Sequence, residues 1–108
     1  MSDQSVVLEG IVGSDAQGIC VHRRRGRAGE DDRYLACIGL RDGAKLIWQE
    51  IEMTCDLVAR SSDILVSGNI VRVFGLLQKQ LGFPVYHVQV HVLEVLHRAA
   101  TVVLRNAA

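Results

Sequence analysis

Tyr86, Val88, Val90 and Val92 alternate with His87, Gln89 and His91, so a strand here buries one face and wets the other. Leu93, Glu94 and Val95 break that period and predict a β-bulge. Near the start, residues 5–13 are rich in β-branched side chains and end at a glycine. They predict a long first strand that resumes over residues 18–22 after a turn at 14–17. Gly10 or Gly13 within it permits the sharp coil that closes a small barrel. Residues 34–40 predict a second strand, stopped by Arg41-Asp42-Gly43, where Asp-Gly signals a hairpin. Residues 45–54 predict a third strand and 69–78 a fourth. The turn Gln80-Leu81-Gly82-Phe83-Pro84 leads to the fifth, since proline cannot donate to a ladder. Residues 23–32 carry two glycines and no apolar period, so they predict a loop. Residues 55–62 suit either a short helix or an irregular link. The tail after His97 has one apolar patch, Val102-Val103-Leu104.

Five strands with turns about every ten residues define an all-β fold, a small barrel or a sandwich. The long first strand, the loop after it and the link between strands three and four favour a five-stranded OB-fold barrel with at most one short helix. The 108 residues suffice for one domain, set at 1–98, with 99–108 as a C-terminal tail. Apolar residues make up 49% but aromatics only 5%, so Val, Leu, Ile and Ala must build the core. No apolar run approaches the roughly 18 residues of a membrane span, and Met1-Ser2-Asp3-Gln4 lacks the basic flank of a secretory signal. The expected place is the cytoplasm, or the nucleoid or nucleus in a eukaryote. Cys20, Cys37 and Cys55 are an odd set without close spacing; they predict reduced, small apolar residues rather than a disulfide framework or a thiolate zinc site.

Formal net charge is zero, which excludes a strong global attraction to nucleic acid or acidic membrane. The charge is nonetheless uneven. Arg23, Arg24, Arg25 and Arg27 crowd one loop, and from Leu65 to the end Arg72, Lys79, Arg98 and Arg105 stand against a single acid, Glu94. The arginine loop is dense enough to contact several phosphates, releasing counterions without sequence preference; alternatively Glu30-Asp31-Asp32 balance it as a solvated surface. Trp48, the only tryptophan, is either a base-stacking platform or a core or interface residue. Among the other aromatics, Phe83 at the hairpin turn is the best stacking candidate, because a loop tip offers little core to enter. Phe74 and Tyr86 read as packing residues.

No catalytic constellation is visible. Ser14, Ser61, Ser62 and Ser67 lie in or beside turns without an elbow motif, and no phosphate-binding loop or dinucleotide fingerprint occurs. His87 and His91, four residues apart on a strand, stand roughly 13 Å apart, too far to share one metal ion. Neither a metal nor a cofactor is expected.

The opening Ser5-Val6-Val7-Leu8-Glu9-Gly10, the strand from Trp48, and Gly68-Asn69-Ile70-Val71-Arg72-Val73-Phe74-Gly75 with the hairpin that follows together resemble two related families. One is the bacterial single-stranded-DNA-binding protein; the other is primosomal replication protein N. The resemblance covers about residues 5–96. It implies an OB barrel, a tryptophan at position 48 that stacks on bases, and a hairpin between strands four and five that helps to hold the strand. The chain stops at Asn106-Ala107-Ala108, without the acidic tail of the first family. In this it looks more like the primosomal protein, which implies a homodimer.

The expected function is therefore non-enzymatic binding of single-stranded DNA, or RNA, in replication, replication restart or repair, by a homodimer or higher oligomer that meets other replication or repair proteins. Arg23, Arg24, Arg25, Arg27, Arg72 and Lys79 would hold phosphates, and Trp48 and Phe83 would stack bases. The rival is an OB-fold scaffold subunit of a genome-maintenance complex with little DNA contact. Glu50 and Glu52 favour the rival, since strand alternation puts both on the Trp48 face, where carboxylates repel phosphates.

Overall fold

The computed structural model describes residues 4–79 and 86–99. In chain order the elements are β1 (Gln4–Val12), β2 (His22–Arg24), β3 (Arg33–Asp42), β4 (Lys45–Met53), α1 (Cys55–Arg60), β5 (Ile70–Lys79) and β6 (Tyr86–His97). The sheet runs β1-β5-β6-β4-β3, and pairing of β1 with β3 at Ile11↔Gly39 and Val12↔Ile38 closes it into a ring. β4 and β6 are parallel and meet at Ile51↔Val88 and Glu52↔Gln89; the other strand pairs are antiparallel. This is the expected closed five-stranded OB barrel with one short helix. Closure is possible because Gly10 has no side chain: a Cβ there would lie 2.5 Å from the carbonyl oxygen of Gly39.

The barrel is filled mainly by aliphatic side chains, as the scarcity of aromatics requires. Val12, Ile38, Ile51, Met53, Val71, Val73 and Val88 are fully buried. Each such residue contributes about 1.5–3 kcal/mol of burial. α1 caps one end. Thr54 is its N-cap, its hydroxyl accepting from the Leu57 amide at 3.3 Å, and this satisfies a donor that the first turn leaves unpaired. Leu57 is the helix's buried residue and packs in the core. Asn69 then ties the link to β6: its side chain donates to the Ile64 carbonyl at 3.0 Å and accepts from the Ala99 amide at 2.8 Å.

Three expectations need correction. Arg23 and Arg24 do not belong to the loop; they form β2 with His22, pairing with Tyr34, Arg33 and Leu35 of β3. The open backbone edge of β3 captures them without any help from apolar side chains. The first strand does not resume at residue 18 either. The expected turn is there, Asp15 Oδ1 accepting from the amides of Gln17 and Ile19 at 2.9 Å, but no strand follows it until His22. Finally, the irregularities in β6 lie at His91 and Leu96 rather than at 93–95: pairing jumps from Gly75↔Val90 to Phe74↔Val92, and from Val71↔Val95 to Ile70↔His97. Each extra residue reverses the in–out phase. Val88, Val90 and Leu93 are therefore buried, while Val92, expected inside, is 49% exposed. The turn at 80–84 and the apolar tail patch lie outside the described residues.

Candidate nucleic-acid interface

A two-residue turn at Gly43-Ala44 joins β3 to β4, with Gly43 at φ 61, as hairpin twist demands. The resulting register sets Gly39 opposite Trp48, Cys37 opposite Glu50 and Leu35 opposite Glu52. β2 extends the same sheet with His22 opposite Leu35 and Arg24 opposite Arg33. Alternation sends Ala36, Ile38 and Ile51 into the barrel and this other set outward.

Trp48 is 54% exposed. Its ring edge lies over two glycines: a Cβ on Gly13 would come 2.6 Å from Cζ3, and one on Gly39 would come 3.1 Å from it. The indole is thus positioned by backbone yet keeps much of its surface open, as a stacking platform requires. Beside it is an apolar cleft of about 440 Å³, lined by Ile19, Cys20, Leu35, Cys37, Trp48 and Glu50 among others. Burial, and then the Glu50 carboxylate, raise the Cys37 thiol above its ordinary pKa, which keeps it a neutral part of the wall.

Glu52 lies farther along the same face but is only 8% exposed. Arg24 and Arg33 reach its Oε1 at 3.4 and 3.3 Å, and His87 Nε2 stands 3.1 Å from its Oε2. Its expected repulsion of phosphate is therefore offset by two guanidinium groups. A polar cleft of about 700 Å³ surrounds this cluster, lined by Arg24, Arg27, Arg33, Gln78, His87 and Gln89, with Glu30 and Asp31 also on its wall. An apolar cleft and a polar cleft in which three arginines stand among three carboxylates thus lie in series along one sheet face.

The residues singled out in the sequence are distributed unevenly over this surface. Arg23 is paired with Asp32 at 2.8 Å, Arg24 with Glu52, and Arg25 and Arg27 are exposed with no ion pair among the described residues. Arg72 lines neither cleft; it bridges Glu9 at 2.7 Å and Glu94 at 3.6 Å, and its bonds to Glu9 raise its pKa further. Lys79 ends β5, and its side chain, like all of Phe83, lies outside the described residues. Phe74 faces outward with Val7 and Val92 as its cross-strand neighbours. Arg33 and His87 were not nominated, although both line the polar cleft. Alternation on β3, which gives Arg33 the same face as Cys37, was the signal that could have found the first.

By sequence, no family model and no curated protein matches the chain. The fold has close counterparts. A mitochondrial single-stranded DNA binding protein from S. cerevisiae superposes with a TM-score of 0.71 at 13% identity, over 91% of this chain and 100% of that one. The second single-stranded DNA binding protein from Mycobacterium smegmatis gives 0.66 at 15% identity, over 87% and 89%. The dimeric N-terminal domain of PriB from Thermoanaerobacter tencongensis gives 0.66 at 15% identity, over 87% and 97%. The chain therefore has an OB-fold of the kind seen in single-stranded DNA binding proteins and PriB.

Proposed function

We propose that this chain is a non-enzymatic OB-fold protein that binds single-stranded DNA across the β3–β4 face and serves replication, replication restart or repair. The observation that carries this reading is the half-open indole of Trp48 seated on Gly13 and Gly39, in line with a cleft lined by three arginines. Bases would stack on Trp48 while Arg23, Arg24, Arg25, Arg27 and Arg33 take the phosphates. The folds it resembles belong to proteins whose names state that they bind single-stranded DNA. A labelled thirty-base oligonucleotide should raise its fluorescence anisotropy on binding at low salt and lose the protein at high salt. It should also quench Trp48. Trp48→Ala should weaken binding by about 1–3 kcal/mol with little change in melting temperature, because an exposed ring supports little packing. Unchanged emission at saturating oligonucleotide would remove Trp48 from the site.

The scaffold reading keeps one specific observation in its favour. Arg23, Arg24 and Arg72 already have carboxylate partners, and the chain is neutral overall. Absence of any anisotropy change at low salt would select it.

We further propose that the chain works as a homodimer. Val7, Phe74 and Val92 form a cross-strand row on the outer face of β1, β5 and β6, with Val7 57% and Val92 49% exposed, and such rows are normally covered. Light scattering at micromolar concentration should give twice the 11.9 kDa chain mass. Val7→Lys together with Val92→Lys should return it to a monomer, and a dimer that survives both would place the interface elsewhere.

A further inference from the structure

The apolar cleft beside Trp48 is lined by one exposed carboxylate that has no partner among the described residues. Asp15, at the mouth, is fully engaged: Oδ1 accepts the amides of Gln17 and Ile19 at 2.9 Å, and Oδ2 meets His22 Nε2 at 3.2 Å. Glu50 is different. Its carboxylate has no ion pair or side-chain hydrogen bond among the described residues. It lines the cleft two residues from Trp48 on the same strand face, opposite Cys37. A surface that only attracted phosphates would gain nothing from a bare carboxylate there.

We infer that this cleft is a base-reading subsite, in which Glu50 selects nucleobases that carry an exocyclic amino group. The inference rests on the proposed binding of single-stranded DNA. An ionised carboxylate only accepts hydrogen bonds. Cytosine offers the N4 amino group as a donor, whereas thymine presents the O4 oxygen at the corresponding position. A base entering the cleft would lie against the Trp48 indole, with Ile19, Cys20 and Leu35 among the apolar walls. Its polar edge would then meet Glu50. Glu50 is exposed, so the contrast lies in geometry at one position: N4 of cytosine donates to the carboxylate, whereas thymine sets O4 against it there. Charge complementarity thus reverses the usual meaning of an acid on a nucleic-acid face: it costs affinity in general and returns it for one class of base.

The test compares thirty-base oligo-dC and oligo-dT on the full chain, above neutral pH and at fixed salt, with wild type and Glu50→Gln. The wild type should prefer oligo-dC by about tenfold, the effect of one charge-assisted hydrogen bond made or refused. Glutamine presents both an acceptor and a donor and reads either edge, so the preference should collapse toward unity, chiefly by a gain on oligo-dT. Equal tightening of both polymers by Glu50→Gln would show a carboxylate that merely repels phosphate and would overturn the inference, leaving DNA binding intact. An unchanged preference would overturn it as well. Failure of the wild type to bind either polymer would instead remove the proposed function itself, and the subsite with it.

Discussion

Alanine at Arg23, Arg24, Arg25 and Arg27 together should flatten the plot of log affinity against log salt. Each phosphate contact on a single strand contributes a slope of about 0.7. Loss of four contacts would lower the slope by nearly 3. The geometry suggests how the total divides. Arg25 and Arg27 carry no ion pair among the described residues, and by themselves would account for about 1.4 of it. Arg23 and Arg24 must first leave Asp32 and Glu52. The double variant Arg25→Ala, Arg27→Ala therefore separates the free arginines from the engaged pair. Titrations at several salt concentrations would measure both, and a slope unchanged in the fourfold variant would make the loop a solvated surface.

Ile51→Ala should have the largest effect on stability. Ile51 is 0% exposed, and it faces Ala36 on one side and Val88 on the other. It also lies in the two-pair parallel contact that joins β4 to β6. Cutting a buried isoleucine to alanine costs about 2–5 kcal/mol through lost burial and the cavity left behind. In a domain of this size that corresponds to a fall in melting temperature of roughly 10 °C or more. Thermal denaturation followed by circular dichroism would read it. A shift of only a degree or two would mean that the barrel is not joined through this pair.

Much of the fold was legible because its signals are local. Asp42-Gly43 marks the β3–β4 hairpin, and Val88 and Val90 lie inside as their alternation requires. The bulge at His91 was not legible, since a bulge is defined by its partner strand and the count of residues there, which only the folded pairing with β5 reveals. β2 was hidden for a similar reason: Arg23 and Arg24 look like loop residues until the edge of β3 is placed beside them. Whether Trp48 faced the core or the groove turned on Gly39. Once the turn at Gly43-Ala44 is fixed, simple counting puts Gly39 across from Trp48, but the approach of Gly13 from β1 is a long-range event. Glu52 shows the limit most clearly. Alternation gave its face correctly and its surroundings wrongly, because Arg24, Arg33 and His87 come from three different strands to cover it.

The pairing of β1 with β5 also sets the order in which the chain can assemble. β1 finds its long partner roughly sixty residues downstream, whereas β3 and β4 need only a two-residue turn. Loop-closure entropy penalises distant contacts until nearby ones have shortened the path. The β3–β4 hairpin should therefore organise first, and β1 should dock late, with folding in the millisecond-to-second range common for non-local β topologies. During synthesis the N-terminal strand stays without its main partner until β5 has emerged. Its exposed Val7 and the apolar row to come are then a transient aggregation hazard, and prompt engagement of β5 and β6 would shorten it.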